Sequence, residues 1–151
     1  MNPRPQIVVF ACVHNAGRSQ MAAGFFNQIA DPRLAHARSA GTEPAERVHP
    51  QVVAAMREAG VDLSTAKPRR FEIEPGEHVD WLITMGCGEA CPFVPGARVE
   101  DWPLEDPADQ PLERVRGIRD EIRERVKRFA TAHGFCPATR DVPGQAPSRN
   151  G

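Results

Sequence analysis

Neither a long hydrophobic run nor a surplus of basic charge occurs in these 151 residues. No apolar stretch approaches ~20 residues, which excludes a membrane-spanning helix. Lysine and arginine together number 19 against 20 acidic residues, for a net charge of −1. Binders of nucleic acid or other polyanions carry a basic excess, so no nucleic-acid partner is expected. Lysine itself is scarce: Lys67 and Lys127 are the only two, a bias that carries no chemistry. The start of the chain, Met1-Asn2-Pro3-Arg4-Pro5-Gln6, lacks the apolar stretch and small-residue cleavage site of a secretory signal. The cytosol is therefore the expected location, with no membrane partner. Cysteine is sparse too, at Cys12, Cys87, Cys91 and Cys136. In a reducing compartment these read as catalytic or metal-binding rather than as structural disulfides.

What is present suits one soluble domain with a real core: 40% apolar and 26% charged residues. Ile7-Val8-Val9-Phe10-Ala11 is a near-continuous apolar run, as in a parallel strand buried on both faces. Residues 19–30 follow with Met21, Phe25 and Ile29 on one helical face. A weaker strand over 34–40 reads as an edge. Pro50 suits the first turn of a second helix, with Val52, Val53 and Met56 as its apolar stripe and Gly60 as its end. Val79 to Met85 reads as a second buried strand, and residues 97–100 as a short one. Leu112, Val115, Ile118, Ile122, Val126 and Phe129 recur at three- and four-residue steps, the mark of a long helix. Alternating strands and helices imply an α/β fold: a single domain with a four-stranded parallel sheet and helices on both faces. Residues 1–136 are expected to form it. Residues 137–151, rich in Pro, Gly, Ser, Arg and Asn, read as a disordered tail.

The most informative segment is Cys12-Val13-His14-Asn15-Ala16-Gly17-Arg18-Ser19. It begins where the first strand ends and stops where the first helix starts. In an open parallel sheet this is where ligands bind. A loop so placed aims backbone N–H groups inward, and the helix N-terminus adds partial positive charge, so the product is an anion cradle. Cys12 lies at its floor, where the field that attracts an oxyanion also stabilises a thiolate. Arg18 can grip two oxygens of a tetrahedral oxyanion. Ser19 can donate a hydrogen bond to the sulfur. Asn15 tolerates a left-handed backbone and can brace the loop. Val13, His14, Asn15, Ala16, Gly17, Arg18 and Ser19 are thus the expected binding residues for a tetrahedral oxyanion such as phosphate or sulfate. His14 either steers substrate or merely packs.

With Ser19-Gln20-Met21-Ala22 behind it, this loop resembles that of the low-molecular-weight protein tyrosine phosphatase superfamily, and more closely its arsenate reductases. The similarity continues through Ser39-Ala40-Gly41-Thr42, through Thr84-Met85-Gly86-Cys87 with Cys91-Pro92, and from Trp102 to Asp106-Pro107. It ends with Arg119-Asp120-Glu121-Ile122, and so spans about residues 6–130. The resemblance implies reduction of arsenate to arsenite for arsenic detoxification. Cys12 would attack arsenic while Arg18 and the loop amides hold the oxygens. Asp106, by itself an ordinary Asp-Pro turn residue, would protonate the leaving oxygen. Asp101 and Asp109 are weaker candidates for that acid.

Cys87 and Cys91 follow the second buried strand and lie at the same sheet edge as Cys12. In thioredoxin-coupled relatives two such cysteines attack in turn. Here the pair is closer together than in that branch, and Gly86-Cys87-Gly88-Glu89-Ala90-Cys91-Pro92 is more similar to relatives that use mycothiol with a glutaredoxin-like partner. A four-residue offset still permits a disulfide. The expected co-substrate is thus a reducing thiol (mycothiol, thioredoxin or a glutaredoxin-like protein), with no tightly bound cofactor and no metal. A zinc site of Cys87, Cys91, His133 and Cys136, or a zinc- or arsenite-binding module using Cys87, Cys91 and Cys136, is the alternative from another class. Phosphatase activity is the other alternative, and it is weakened because tyrosine, a common wall of the phosphotyrosine pocket in this fold, is absent. Potassium-binding members of the thioredoxin-coupled branch carry a glutamate where this chain has Ala23. Trp102 reads as core or as a wall of the site.

Overall fold

The run from Val8 to Ala11 is fully buried, with solvent excluded from both faces. Its side chains alternate between two separate apolar clusters, as a pleated strand requires. The computed structural model describes residues 4–86 and 93–137. Its elements are β1 (Gln6–Cys12), α1 (Arg18–Ile29), β2 (Ala35–Gly41), α2 (Pro50–Glu58), β3 (Trp81–Thr84), β4 (Arg98–Asp101) and α3 (Leu112–Ala132). The four strands form one sheet in the order β2-β1-β3-β4, and every pairing is parallel. The expected parallel sheet is therefore present, with β2 at an edge. Of the tail expected from residue 137, only Pro137 lies within the described residues.

Val8, Phe10 and Cys12 face the larger core. All three helices supply it, with Met21, Phe25 and Phe26 from α1, Val52 and Met56 from α2, and Val115, Ile118, Ile122 and Phe129 from α3. Val9 and Ala11 face a smaller core closed by Phe71, Val79 and Val94. Among the described residues the helices thus line one face, and connecting segments cover the other. Trp102 is core and forms no wall of the site: it is 1% exposed, with its ring 5.6 Å from Phe10 and 5.7 Å from Phe129.

The third strand is shorter than the apolar pattern suggests, beginning at Trp81 rather than Val79. The reason is Asp80. Its carboxylate accepts the backbone N–H of Ile7 at 2.9 Å, and its own N–H donates to the Ile7 carbonyl at 2.9 Å. That exchange fastens the chain to the start of β1 before regular pairing begins, while Val79 is buried in the smaller core without being a strand residue. At the far end, Met85 N–H still bonds to Ala11 O at 2.7 Å.

The register determines where the chemistry sits. Cys12 pairs with Gly41 at the end of β2, and Ala11 with Thr84 at the end of β3. The carboxyl ends of the strands therefore open onto one edge, where the loop from Cys12 to α1 turns over.

Candidate functional site

The loop between β1 and α1 is held from outside by its carbonyl groups. Cys12 O accepts from Thr42 N–H at 3.2 Å, Val13 O from Glu43 at 2.7 Å, His14 O from Ala45 at 2.9 Å and Ala16 O from His49 at 3.0 Å. With these oxygens turned toward residues 42–49, the peptide units direct their N–H groups the opposite way. Among the described residues, the N–H groups of Val13, His14, Asn15, Ala16 and Gly17 donate to no protein acceptor. The first turn of α1 follows at Arg18, so the positive end of its dipole adds to the same concavity. The result is an anion cradle built from backbone.

Cys12 sits beneath it, 2% exposed, with its sulfur 2.9 Å from Ser19 Oγ. The direction of that bond follows from its neighbours. Arg69 N–H, which can only donate, points at Asn15 Oδ1 at 2.8 Å. The Asn15 amide is therefore oriented with Nδ2 toward Ser19 Oγ, at 2.7 Å. With its oxygen accepting from Asn15, the Ser19 hydroxyl has its own proton to give to sulfur. Asn15 and Ser19 are both fully buried, and Asn15 has a left-handed φ of 52°, as the sequence leads one to expect. Gly41 allows β2 to end directly against this loop: a Cβ there would lie 2.7 Å from Val13 O and 2.9 Å from Asn15 N.

Over the cradle, the Arg18 guanidinium is nearly buried. Its Nη1 donates to Leu104 O at 3.2 Å, and its Nη2 lies 3.5 Å from Asp106 Oδ2. Gly86 packs against the same group with φ +98°, and a Cβ there would overlap Nη1 and lie 3.1 Å from Cζ. Asp106 is half-exposed and its other oxygen accepts Ala108 N–H at 3.0 Å. The segment is further tied to α3 by the ion pair of Glu105 with Arg114. Of the three aspartates considered, Asp106 is the one brought to Arg18. Asp101 accepts the Thr84 hydroxyl at 2.6 Å instead, and Asp109 occupies a left-handed turn at φ 59°.

Other expectations are met unevenly. His14 is exposed, with its Nδ1 3.0 Å from the Glu43 carbonyl, so it packs on the bracing segment. Cys87 and Cys91 lie outside the described residues. His133 stacks 4.5 Å from Trp81 and 4.8 Å from Phe129, and Cys136 Sγ lies 3.6 Å from Thr131 Oγ1. Among the described residues, no three His, Cys, Asp or Glu side chains gather as a metal would require. No helix among them is long and apolar enough to cross a membrane. The recess beside Ala23 is lined by Gln20, Asn27, Ser39 and Thr65, with Arg38, Lys67 and Arg69 and no carboxylate. Arg38 is already paired with Glu77 at 2.9 Å, and with Lys67 and Arg69 beside it and no carboxylate in its lining the recess does not fit a potassium ion.

Sequence reasoning did not find the roles of Gly41, Gly86, the Leu104 carbonyl or Gln20. The signal for the glycines was their place directly at strand ends. Gln20 lies in the Ser19-Gln20-Met21-Ala22 stretch that carries the resemblance, but nothing there announced its bonds to Asn15 O at 3.2 Å and Asn15 Oδ1 at 3.1 Å.

A thiol under a backbone cradle, with a guanidinium and a carboxylate beside it, is an arrangement chemically able to attack a tetrahedral oxyanion. Consistent with this, the family model described as low molecular weight phosphotyrosine protein phosphatase matches residues 7–134, and the chain belongs to that family. It is 39% identical over 123 residues to the glutaredoxin arsenate reductase of Synechocystis sp., an alignment covering 80% of this chain and 92% of the relative. Among solved structures, it is similar to a thioredoxin-dependent arsenate reductase of Corynebacterium glutamicum, with 36% identity and a TM-score of 0.73. That match covers 87% of this chain but 63% of the other protein, so the chain spans less than two thirds of its length. An arsenate reductase in its phosphate-binding state matches with 32% identity and a TM-score of 0.69, over 84% of this chain and 98% of that one.

Proposed function

We propose that this protein reduces arsenate to arsenite, with Cys12 as nucleophile. The observation that carries the reading is the convergence of Cys12, bonded to Ser19, with Arg18 and Asp106 around one backbone cradle. Arsenate binds with its oxygens on the loop N–H groups and the Arg18 guanidinium. The Cys12 thiolate attacks arsenic(V), a sulfur–arsenic bond forms, and one oxygen departs as water with the proton supplied by Asp106. A second thiol then attacks the Cys12 sulfur. The sulfur–arsenic bond breaks, its electron pair stays on arsenic, and arsenite leaves as arsenic(III). Cys12 is left in a disulfide, which a further thiol reduces. Two thiols are thus oxidised for each arsenate reduced.

For the second thiol we favour an external donor, a small thiol of the mycothiol type or a thioredoxin- or glutaredoxin-like protein. The short spacer Gly88-Glu89-Ala90 restricts how far Cys87 and Cys91 can swing in an internal relay. Names of relatives support both kinds of protein donor, one glutaredoxin and one thioredoxin. The family match also favours a second reading, a phosphatase that shares the covalent step and uses water to complete it.

The experiment is turnover of arsenate and of p-nitrophenyl phosphate by wild type and Cys12→Ser, with mycothiol and thioredoxin systems supplied separately. Arsenate turnover with one of the donors, lost in Cys12→Ser, supports the reduction. Phosphate-ester turnover with no arsenate reduction under any donor overturns it in favour of the phosphatase.

A further inference from the structure

The amide nitrogen of Gln20 is surrounded by acceptors belonging to the residue that braces the reactive loop. Gln20 Nε2 lies 3.1 Å from Asn15 Oδ1, 3.2 Å from Asn15 O and 3.4 Å from Lys67 O. Gln20 is 6% exposed and stands one residue after Ser19 on α1. Asn15 holds a left-handed backbone in a fully buried place, a conformation that costs free energy unless its surroundings impose it. Gln20 bonds to both its backbone and its side-chain oxygen. With Arg69 N–H on the same Oδ1, all acceptor capacity of the Asn15 amide faces away from Ser19. Nδ2 is left aimed at the hydroxyl that touches Cys12. The recess alongside offers no carboxylate to hold a cation that could do this work.

We propose that Gln20 is a positioning residue for Cys12, acting through Asn15 and Ser19 to keep the Ser19 hydroxyl proton directed at the sulfur. The chain of donors runs Gln20 to Asn15, Asn15 to Ser19, Ser19 to Cys12, each link made by a group nine-tenths or more buried. Charged and titratable groups near this chain are Arg18 and Asp106 by the cradle, His14 and His49 flanking the loop, and Lys67, Arg69 and Arg38 with its partner Glu77 beside the recess. Gln20→Met changes the charge of none of them. The inference deepens the assignment of Cys12 as nucleophile, but it concerns the thiol itself and is read without arsenate.

The test is the pH profile of iodoacetamide alkylation at Cys12, followed by mass spectrometry of the peptide that contains it. Gln20→Met keeps the length and bulk of the side chain and removes its donors. Gln20→Glu keeps the shape and presents only acceptors to the two Asn15 oxygens. Each is expected to move the profile to higher pH and slow alkylation ~3- to 10-fold on its rising limb, the effect of weakening one buried hydrogen bond to a thiolate. In a Ser19→Ala background, Gln20→Met is expected to change the rate less than about two-fold, because the route to sulfur is already cut. Unchanged profiles in both variants overturn the proposal. So does a shift of equal size in the presence and absence of Ser19, which assigns Gln20 a purely structural role. Absence of arsenate reduction by the wild type under every donor counts against the proposed activity and leaves these alkylation outcomes to decide the role of Gln20.

Discussion

Pro107 rests directly on Gly17: a Cβ added to Gly17 would lie 2.6 Å from Pro107 Cγ and 3.3 Å from its Cδ. The contact seats the segment carrying Asp106 on the start of α1, next to the residue that supplies Arg18. Gly17→Ala therefore forces the ring away. Overpacking of this kind costs about 1–3 kcal/mol, and it also lifts Asp106 from its place near Arg18. Denaturant unfolding should show the loss of stability. Turnover should fall by more than that loss explains, and adding Pro107→Ala should restore part of both.

The guanidinium of Arg18 divides its nitrogens between Leu104 O and the Asp106 carboxylate. Arg18→Lys keeps the charge and loses the planar fork. A fall of roughly 10²-fold in kcat/KM for arsenate is expected, the usual size for removing one preorganised donor. Protection of the variant from thermal unfolding by arsenate should weaken in parallel. Equal protection of variant and wild type would show that the fork is not used.

Asp106→Asn removes a proton donor and keeps the shape. If Asp106 protonates the departing oxygen, kcat should drop by about 10²–10⁴ with KM little changed. Steady-state kinetics with a saturating donor thiol measures this. An unchanged kcat would remove Asp106 from the mechanism, and Asp101, held by Thr84, would need the same test.

Away from the site, Glu58 joins α2 to α3. Hydrogen bonds from Arg116 at 2.8 Å and from Arg119 at 2.9 Å draw its carboxyl down from 4.5 to about 2, against a smaller opposing effect of burial. A depressed carboxyl contributes stability above its unfolded value, and that contribution disappears as pH falls from about 4.5 toward about 2. Glu58→Gln should therefore be less stable than wild type near neutrality, and the gap should close across that window. Thermal melts at stepped pH give the comparison. Asp31, lowered by its bonds from Arg33, titrates in both proteins and cancels.

Much of this architecture could be read locally. The unbroken apolar run of β1 and the three- and four-residue periodicity of α3 are properties of short windows, and both elements fall where the pattern puts them. The cradle was legible for the same reason, since strand, loop and helix start are contiguous between Cys12 and Ser19. What escaped depends on segments far apart in sequence. Gly41 matters because β2 ends against Asn15, and Gly86 because β3 ends against Arg18. Residue type alone could not rank Asp106 above Asp101 and Asp109; the resemblance put it first, and the Thr84 bond and the approach to Arg18 separate them in space. Val79 looked like a strand because burial and strand pairing leave the same apolar signature, while Asp80 had already stopped the ladder.

The bracing of the loop by residues 42–49, and of Asn15 by Arg69, has a consequence for how the protein acquires its chemistry. A nascent chain that has emerged only as far as Ile29 already contains the strand, the loop and the helix. It lacks the donors from residues 42–49 that hold the carbonyls of Cys12, Val13, His14 and Ala16, and it lacks the carbonyl and carboxylate that hold Arg18. Such a chain has the right residues in the right order and no anion cradle. Competence arrives late in synthesis, once residues through Asp106 have joined the sheet edge, and it is lost early if those distant segments loosen. Anion protection of Cys12 from modification is therefore a direct readout of complete assembly.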